Sequence, residues 1–269
     1  MDGLDALTRI IDQLPGVAVA VSGGVDSLTL ATAIHRRHAV RATMFHAVSP
    51  AVPEEATERV RAVANKQGWV LRIIDAGEFA DRDYRANPVN RCFYCKTNLY
   101  GAIAPLTDAQ IVSGTNLDDL GEYRPGLQAA EHHSVRHPFV EAGIDKTGVR
   151  LLARRFGLGG ISELPAAPCL SSRIETGIAI DPSMLKLVHQ TERFIADRLH
   201  PKTVRCRVRA NGVVVELDKV TLDLADELQR DELARHVATL FSDAGLDYRV
   251  SFAPYRVGSA FVHLVHMDV

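Results

Sequence analysis

The residues with the clearest chemistry form a glycine turn near the start of the chain. A short apolar run at 17–21 precedes this turn, and a helix pattern follows it over 26–37. Glycine lets a backbone turn tightly and bring its N–H groups close to a ligand, and the N-terminus of a helix stabilises an anion. The sequence therefore predicts a phosphate-binding turn made of Ser22, Gly23, Gly24, Val25, Asp26 and Ser27.

The side chains of this turn also suit phosphate binding. Ser22 and Ser27 offer hydroxyl donors to phosphate oxygens, and Asp26 is a candidate ligand for Mg²⁺. The turn contains no lysine, so it differs from the loop that cradles a transferable γ-phosphate. The plain alternative is a glycine turn capped by serine or aspartate.

Three cysteines have the spacing of a metal site. Cys92 and Cys95 lie in a turn that leads into a helix, and Cys169 lies in a loop without regular periodicity. Three thiolates suit an iron–sulfur cluster that keeps one iron open, and zinc held by the same three with a histidine is the rival metal. Ordinary buried thiols, or a redox disulfide between Cys92 and Cys95, are the alternatives.

The fourth cysteine, Cys206, lies in an alternating segment of valine and arginine. Strand alternation places Cys206 on one face and Arg205, Arg207 and Arg209 on the other. Cys206 is therefore predicted to lie in the core. The arginine row either binds an oxyanion through guanidinium groups or forms a solvated strand face.

Strand and helix patterns alternate around these residues in the first two thirds of the chain. The predicted elements are strands at 17–21, 40–48, 70–74 and 111–113 and helices at 26–37, 53–68, 94–104 and 145–157. Such alternation predicts an α/β fold in which helices cover both faces of a parallel sheet.

The pattern changes after about residue 178. A helix at 183–199 is followed by two strands, 203–210 and 213–217, which Asn211-Gly212 joins as a hairpin. A helix at 230–244 and a strand at 248–253 complete a small α+β domain. We expect a domain at 1–178 that binds phosphate and a smaller one at 179–269 for substrate binding or oligomerisation.

Composition limits the classes of function. The chain has 269 residues with a net charge of -2, which argues against a broad basic surface for nucleic acid. It contains no apolar stretch long enough to span a bilayer, and its acidic N-terminal segment is unlike a signal peptide. A cytoplasmic protein with no membrane partner is therefore expected. Four cysteines are too few for a disulfide scaffold.

The glycine turn resembles the loop of the N-type ATP pyrophosphatases, or PP-loop superfamily, whose nucleotide-binding domain is of the HUP type. A second stretch, Ser113–Asp119, is similar to the signature at the end of that superfamily's fourth strand. The resemblance implies that Gly114 and Thr115 also bind ATP. Such enzymes split ATP between the α- and β-phosphates, adenylate a substrate oxygen and release pyrophosphate.

Over nearly its whole length the chain resembles the LarE family of PP-loop sulfur transferases. The most specific matches are the strings Tyr-Arg-Pro-Gly-Leu at 123–127 and Cys-Leu-Ser-Ser-Arg at 169–173, and the likeness continues at 204–207. The resemblance implies adenylation of a carboxylate of pyridinium-3,5-biscarboxylic acid mononucleotide. Sulfur then replaces AMP, which is a better leaving group than carboxylate oxygen.

The family uses two sulfur sources. In one, the cysteine that matches Cys169 gives up its own sulfur and becomes dehydroalanine. In the other, that cysteine and a Cys-x-x-Cys pair hold a 4Fe–4S cluster that carries a sulfide. Because this chain has Cys92 and Cys95, the cluster type is expected, with sulfide or another sulfur donor to reload it.

The resemblance also implies roles for other residues. Arg205 and Arg207 match a phosphate-binding pair, and Glu122 falls where acidic residues bind metal, here Mg²⁺ with Asp26. The family strings add further candidates for substrate or phosphate binding, Arg124 and Arg173. The family also leads us to expect a homo-oligomer, a hexamer.

Three other functions share parts of this pattern. A tRNA thiolation enzyme has the same loop and a cysteine trio, although the near-neutral charge and the lack of an RNA-binding module count against it. An ammonia-using ligase of the superfamily needs no cysteines, and a zinc-stabilised nucleotide sensor would leave the two family strings unexplained. The sequence cluster of His132, His133 and His137 is interpreted as loop or packing residues.

Overall fold

The computed structural model of the chain describes residues 3–121 and 124–260. These residues form two compact units. The first comprises the chain up to Asp81 together with Asn90–Ala167, and the second comprises Arg82–Val89 and the chain from Pro168 onward. Among the described residues, no helix combines the length and the apolar character that crossing a membrane requires.

The first unit is built on a parallel four-stranded sheet with the order β3-β2-β1-β4. Its strands are β1 (Val17–Ala20), β2 (Ala42–Ala47), β3 (Val70–Ile74) and β4 (Gln110–Ser113). Every residue of β1 is buried, as a central strand covered on both faces requires. All four predicted strands and the predicted α/β class are confirmed.

Helices of 13 or 14 residues lie between the strands, a four-residue helix also lies between β3 and β4, and the helices of this unit that follow β4 have four to ten residues. The helices of the first unit are α1 (Gly3–Asp12), α2 (Val25–His38), α3 (Glu54–Gln67), α5 (Arg91–Ile103), α6 (Pro125–His132), α7 (Pro138–Glu141) and α8 (Lys146–Arg155), and the second unit contributes α4 (Arg82–Arg85). Local chemistry sets their ends. Gly68 closes α3 in the left-handed conformation, and the Asp145 carboxylate caps α8 by accepting from the Gly148 N–H.

Alternate residues of β1 face two different cores. Val17 and Val19 belong to a large cluster with side chains of α1, α2, α3 and α8. Ala18 and Ala20 belong to a second cluster with side chains of α5 and α6. Because successive side chains of a strand point to opposite faces, β1 contributes to the core on each side of the sheet. The predicted covering of both sheet faces is confirmed.

The described residues of the second unit form a three-stranded sheet with two long helices and two short ones, of which α4 is the first. Its further elements are α9 (Pro182–Leu199), β5 (Val204–Arg209), β6 (Gly212–Leu217), α10 (Lys219–Leu224), α11 (Glu227–Ser242) and β7 (Val250–Pro254). β5 and β6 form the predicted antiparallel hairpin, and β7 pairs parallel to β6. The predicted α-β-β-α-β order is confirmed, with α10 added between β6 and α11.

The second unit begins earlier in sequence than residue 179. The Asn87 side chain explains why 82–89 belong to it, because its amide donates to the carbonyls of Glu175 and Ile178 over 2.8 and 2.9 Å. The Ile180 N–H also donates to the Arg85 carbonyl over 2.8 Å. A short segment between β3 and α5 is thus hydrogen-bonded into the unit that follows Pro168.

Candidate active site

The predicted phosphate turn closes on itself through two serines. Gly24 is the N-cap residue of α2, and the Ser27 hydroxyl donates to the Gly24 carbonyl over 3.1 Å. The Ser22 backbone N–H donates to Ser27 Oγ over 3.1 Å, and the two hydroxyl oxygens lie 3.2 Å apart. The turn is therefore preformed, with the N-terminus of a helix at its base.

Helix α3 holds the turn from one side. Gly23 has φ of +84°, and a Cβ at this position would lie 2.7 Å from the Ala56 carbonyl oxygen. Arg59 in the same helix donates to the Gly23 carbonyl over 2.8 Å. Both the backbone angle and the close approach require glycine here.

The segment after β4 holds the turn from the other side. A Cβ on Gly114 would lie 2.8 Å from the backbone nitrogen of Ser27 and 2.9 Å from the carbonyl carbon of Asp26. The segment that was predicted to carry the second ATP contact therefore touches the first turn of α2. ATP binding by Gly114 and Thr115 stays a prediction.

A methyl group on Gly114 should disturb this contact. We expect Gly114→Ala to weaken ATP binding at least about tenfold and to destabilise the first unit by about 1–3 kcal/mol, since backbone atoms cannot move aside cheaply. Isothermal titration with ATP and thermal unfolding measure the two effects. Gly160→Ala is the matched control, because nothing lies within 4 Å of a Cβ there. Wild-type affinity in Gly114→Ala would contradict this account of the contact.

Asp26 has two partners that lie far away in sequence. Asn116 donates to Asp26 Oδ1 over 3.1 Å, and Lys146 Nζ lies 2.5 Å from Asp26 Oδ2. Lys146 is the first residue of α8, where the Asp145 cap fixes the backbone. The loop itself lacks a lysine, but the fold supplies one from another helix.

A turn after Gly114 links these groups to the start of α6. The Asn116 N–H donates to Asp119 Oδ2 over 3.0 Å, and Arg124 forms an ion pair with Asp119 Oδ1 at 2.7 Å. The Lys146 N–H donates to Asp118 Oδ2 over 3.1 Å. Glu122, predicted as a magnesium ligand, lies outside the described residues. Substrate binding by Arg124 stays a prediction.

The Cys-x-x-Cys pair lies at the start of α5. Cys92 and Cys95 are half-buried and three residues apart, so both project from the same side of the helix. Helix α6 packs closely there, because a Cβ on Gly126 would lie 3.0 Å from Cγ of Lys96 and 3.6 Å from the Cys92 carbonyl oxygen. Gly126 of one family string thus lies against the backbone of Cys92.

Cys169 lies in the second unit, on a loop fixed by a buried arginine. Its side chain is exposed, and Leu170–Arg173 form a single 3-10 turn behind it. Arg173 donates to the carbonyls of Pro168 and Cys169 over 2.6 and 3.1 Å. Its other two nitrogens donate to the two carboxylate oxygens of Glu192, each over 2.9 Å. The buried ion pair therefore fixes the backbone that presents the exposed thiol.

The arginines of β5 are neither solvated nor unpaired. Arg207 is 4% exposed and donates to Glu216 over 3.0 Å and to the Ser172 carbonyl over 3.0 Å. The Arg205 guanidinium lies 5.7 Å from the ring centre of Tyr255, and burial lowers its pKa. Phosphate binding by these residues, and by Arg173, stays a prediction.

Cys206 faces the opposite side of β5. It is fully buried, and burial raises the pKa of its thiol. Its backbone N–H donates to Glu192 Oε1 over 2.9 Å. The predicted core position of Cys206 is confirmed, and a buried protonated thiol is chemically inert.

Comparison with known proteins gives relatives that share most of the chain. No protein-family model matches it. An uncharacterized protein of Synechocystis sp. is 36% identical over 80% of this chain and 81% of that protein. A pyridinium-3,5-bisthiocarboxylic acid mononucleotide synthase of Lactiplantibacillus plantarum is 26% identical over 80% of this chain and 79% of that protein.

The chain belongs to the LarE family. A more distant relative, a probable tRNA sulfurtransferase of Methanothermobacter thermautotrophicus, is 26% identical over 57% of this chain and 43% of that protein. The sequence resemblance to LarE is thus confirmed, and the parallel sheet is that of a PP-loop sulfur transferase.

The LarE cysteines supply thiol donors that fit an iron–sulfur cluster in their chemistry. Cys92 and Cys95 are partly exposed, Cys169 is exposed, and the four cysteines of the chain form no disulfide among the described residues. Within residues 3–121 and 124–260, no three His, Cys, Asp or Glu side chains are grouped to hold a metal ion. A metal site made of Cys92, Cys95 and Cys169 therefore stays a prediction.

Several positioning residues of this LarE site were not found by sequence reasoning, among them Lys146, Arg59 and His46. His46 at the end of β2 is 1% exposed. Its Nδ1 lies 2.7 Å from the Val21 carbonyl, which only accepts, so Nδ1 is the donor and Nε2 accepts from the Thr57 hydroxyl over 2.9 Å. His46 therefore connects the residue before the phosphate turn to α3. The only sequence signal was a polar residue within an apolar strand.

Burial lowers the pKa of His46 below its ordinary value of 6.5. The unfolded chain then binds the proton first, so stability is complete above about pH 6.5 and is lost as the pH falls toward the folded-state pKa. We expect the free energy of unfolding, measured by urea titration, to fall over that interval. His46→Asn should flatten the slope, whereas His200→Asn at an exposed position should not. Equal slopes in wild type and His46→Asn would contradict the assignment.

Proposed function

We propose that this protein adenylates a carboxylate of pyridinium-3,5-biscarboxylic acid mononucleotide with ATP and replaces AMP with sulfur. The observation that carries the proposal is the meeting of three segments at the carboxyl edge of the parallel sheet: the turn at 22–27, the Gly114 backbone and Lys146. Ligands of open parallel sheets bind at this edge. Membership of the LarE family supports the choice of substrate.

The first unit has the groups that ATP cleavage requires. The N–H groups of the turn and the N-terminus of α2 bind the β- and γ-phosphates, with the Ser22 hydroxyl as a further donor, whereas the Ser27 hydroxyl donates to the Gly24 carbonyl and supports the turn. Asp26 fits a cation, because its carboxylate already holds the Lys146 ammonium. Mg²⁺ held there would neutralise phosphate charge, and Lys146 is then left to bind a phosphate oxygen.

The cysteines supply the sulfur step. A 4Fe–4S cluster held by Cys92, Cys95 and Cys169 would supply a sulfide for transfer. Arg173 orients the Cys169 backbone, and the exposed thiol is accessible to a ligand. The alternative within the same chemistry is that Cys169 attacks the adenylate and loses its own sulfur.

Anaerobic analysis tests the proposal. Protein prepared without oxygen should be brown and contain about four irons per chain, and with ATP and the pyridinium substrate it should release pyrophosphate and AMP. Colourless, iron-free protein that still transfers sulfur, with Cys169 converted to dehydroalanine, would support the sacrificial route. Failure to form AMP with the substrate would overturn the proposed function.

A second candidate function, tRNA thiolation, is favoured by the likeness to the probable tRNA sulfurtransferase. The net charge of -2 weakens it, since non-specific RNA binding depends on basic residues. A steep decrease of tRNA affinity with salt, together with thiolated tRNA product, would establish it in place of the small-molecule substrate.

We also propose a cytoplasmic homo-oligomer, in which the second unit binds substrate or joins subunits. The family resemblance supports a hexamer, and light scattering coupled to size-exclusion chromatography measures it directly. A monomer at micromolar concentration would overturn the hexamer without affecting the proposed chemistry.

A further inference from the structure

A short hydrogen-bond chain lies at the end of β4, beside the phosphate turn. The Ser113 hydroxyl oxygen lies 2.9 Å from Nδ1 of His137 and 3.0 Å from the Thr115 hydroxyl oxygen. Ser113 is 7% exposed, so water does not compete freely for its hydroxyl. Gly114, between the two hydroxyl residues, touches the Ser27 backbone. Thr115 is thus held next to the predicted phosphate site.

The chain has two possible directions because a hydroxyl carries one proton. If His137 Nδ1 donates to Ser113, then Ser113 donates to Thr115, and the Thr115 proton points outward. If Nδ1 accepts, Thr115 must donate inward to Ser113, and only its lone pairs face a ligand. The tautomer of His137 therefore decides whether Thr115 is a donor or an acceptor.

The surroundings of His137 keep its ring neutral, so the position of the single ring N–H sets the direction of the hydrogen bonds. Burial lowers the pKa of His137, so the ring is neutral near pH 7 and carries one N–H. The charged groups that face it are Glu141 of α7, Lys96 of α5 and Asp119 of the turn after β4. The neighbouring His132 and His133, by contrast, pack against the rings of Phe93 and Tyr100.

We propose that His137 is a positioning residue that donates through Nδ1–H to Ser113 and so directs the Thr115 hydroxyl proton toward the ATP phosphates. Polyphosphate oxygens only accept hydrogen bonds, so an anionic ligand selects this direction. The inference rests on the proposed function, since it takes ATP as the ligand of Thr115. It assigns a role to a histidine that sequence reasoning interpreted as loop or packing.

Two substitutions of nearly equal size at His137 test whether the direction of the hydrogen bonds affects ATP binding. His137→Asn keeps a neutral group that can donate near the Nδ1 position, and we expect ATP affinity within about threefold of wild type. His137→Asp only accepts, so it reverses the chain, and we expect about a tenfold loss. Thr115→Val removes the hydroxyl that the chain controls and should cause a similar loss.

The double variant His137→Asp/Thr115→Val distinguishes an effect of the hydrogen-bond chain, here called the relay, from repulsion between the new carboxylate and ATP. If the relay exists, the aspartate causes less loss in the valine background than in wild type. The same carboxylate placed directly after α6 by His133→Asp controls for added negative charge. An equal loss in both backgrounds would overturn the proposal.

The tautomer of His137 can also be measured directly by NMR, without an activity assay. In ¹⁵N-labelled protein, the ring nitrogen shifts of His137, assigned by comparison with His137→Asn, should show the Nδ1–H tautomer when ATP is bound. The Nε2–H tautomer in that complex would overturn the proposal. If wild-type protein binds no ATP at all, the proposed function fails first, which is a distinguishable result.

Discussion

Cys169→Ser is expected to reduce sulfur transfer at least about 1,000-fold while pyrophosphate release from ATP continues. The exposed Cys169 belongs to the second unit, whereas the residues of the phosphate turn belong to the first. Serine has nearly the same shape, so the loop that Arg173 and Glu192 fix should stay in place. The variant therefore removes sulfur chemistry and leaves adenylation.

Two assays and two further variants make the result informative. Pyrophosphate release and thiocarboxylate formation are followed in the same reaction, the second by mass spectrometry. If a cluster supplies the sulfur, Cys92→Ser and Cys95→Ser should lose transfer and iron as well. If Cys169 is sacrificed, those two variants should keep transfer. Sulfur transfer by Cys169→Ser at the wild-type rate would exclude both routes.

Cys206→Ala is the matched control for removal of a thiol. Cys206 is buried in β5 and its thiol stays protonated, so it has no role in either route. We expect a small loss of stability from the truncated core side chain and unchanged sulfur transfer in the folded protein. A large loss of transfer with normal folding would mean that the assignment of Cys169 as the transferring thiol is incomplete.

Local patterns were sufficient to predict most of the fold. The run of β1 is short, fully apolar and bounded by Gly and Pro, as is typical of a buried strand, and the run of β5 alternates with a period of two. Asn211-Gly212 predicted the hairpin, and the structure places Gly212 at φ of +134° against the Arg249 carbonyl. Helices α6 and α7 were missed because they span only eight and four residues, too few to show a helical period.

Long-range pairing was not predictable from one sequence. Lys146 lies 120 residues from Asp26, and Glu192 lies 19 residues from Arg173, and neither spacing has a periodicity that indicates contact. The same limit applies to Asn87, whose hydrogen bonds bring 82–89 into the second unit. The sequence identified the chemistry-bearing residues, but the partners that orient them depend on tertiary packing.

Contacts with other parts of the first unit fix the backbone of the phosphate turn. Arg59 fixes the Gly23 carbonyl, His46 fixes the Val21 carbonyl, and the Gly114 backbone lies against Ser27. Three separate elements thus hold consecutive parts of one turn. A turn that is ordered in advance loses less entropy when ATP binds.

Lys146→Met is expected to lower kcat/KM for ATP by about 100-fold, the size of effect seen when one charge-stabilising donor is removed. The Lys146 ammonium lies 2.5 Å from Asp26 Oδ2 and neutralises that carboxylate. If Asp26 held Mg²⁺ together with ATP, as proposed, the ammonium would be available to a phosphate oxygen. Methionine keeps an unbranched side chain as far as Cε and lacks the terminal ammonium, so the charge and its hydrogen-bond donors are lost together.

The ion pair is partly exposed, with 33% of the Lys146 side chain and 26% of the Asp26 side chain accessible. Its loss should therefore change the free energy of unfolding by less than about 1 kcal/mol. Initial rates measured against ATP and Mg²⁺, with urea unfolding in parallel, separate catalysis from folding. Lys146→Arg should recover part of the activity, because it keeps the charge but changes its geometry.

Lys219→Met is the matched control for a lysine in an ion pair. Lys219 pairs with Asp223 over 2.8 Å in the second unit, and 82% of its side chain is exposed. Both variants remove one positive charge, so a general change in the attraction of ATP would affect them equally. Loss in Lys146→Met alone, with normal unfolding, assigns the effect to the phosphate site. Wild-type kcat/KM in Lys146→Met would mean that the lysine serves only to neutralise Asp26.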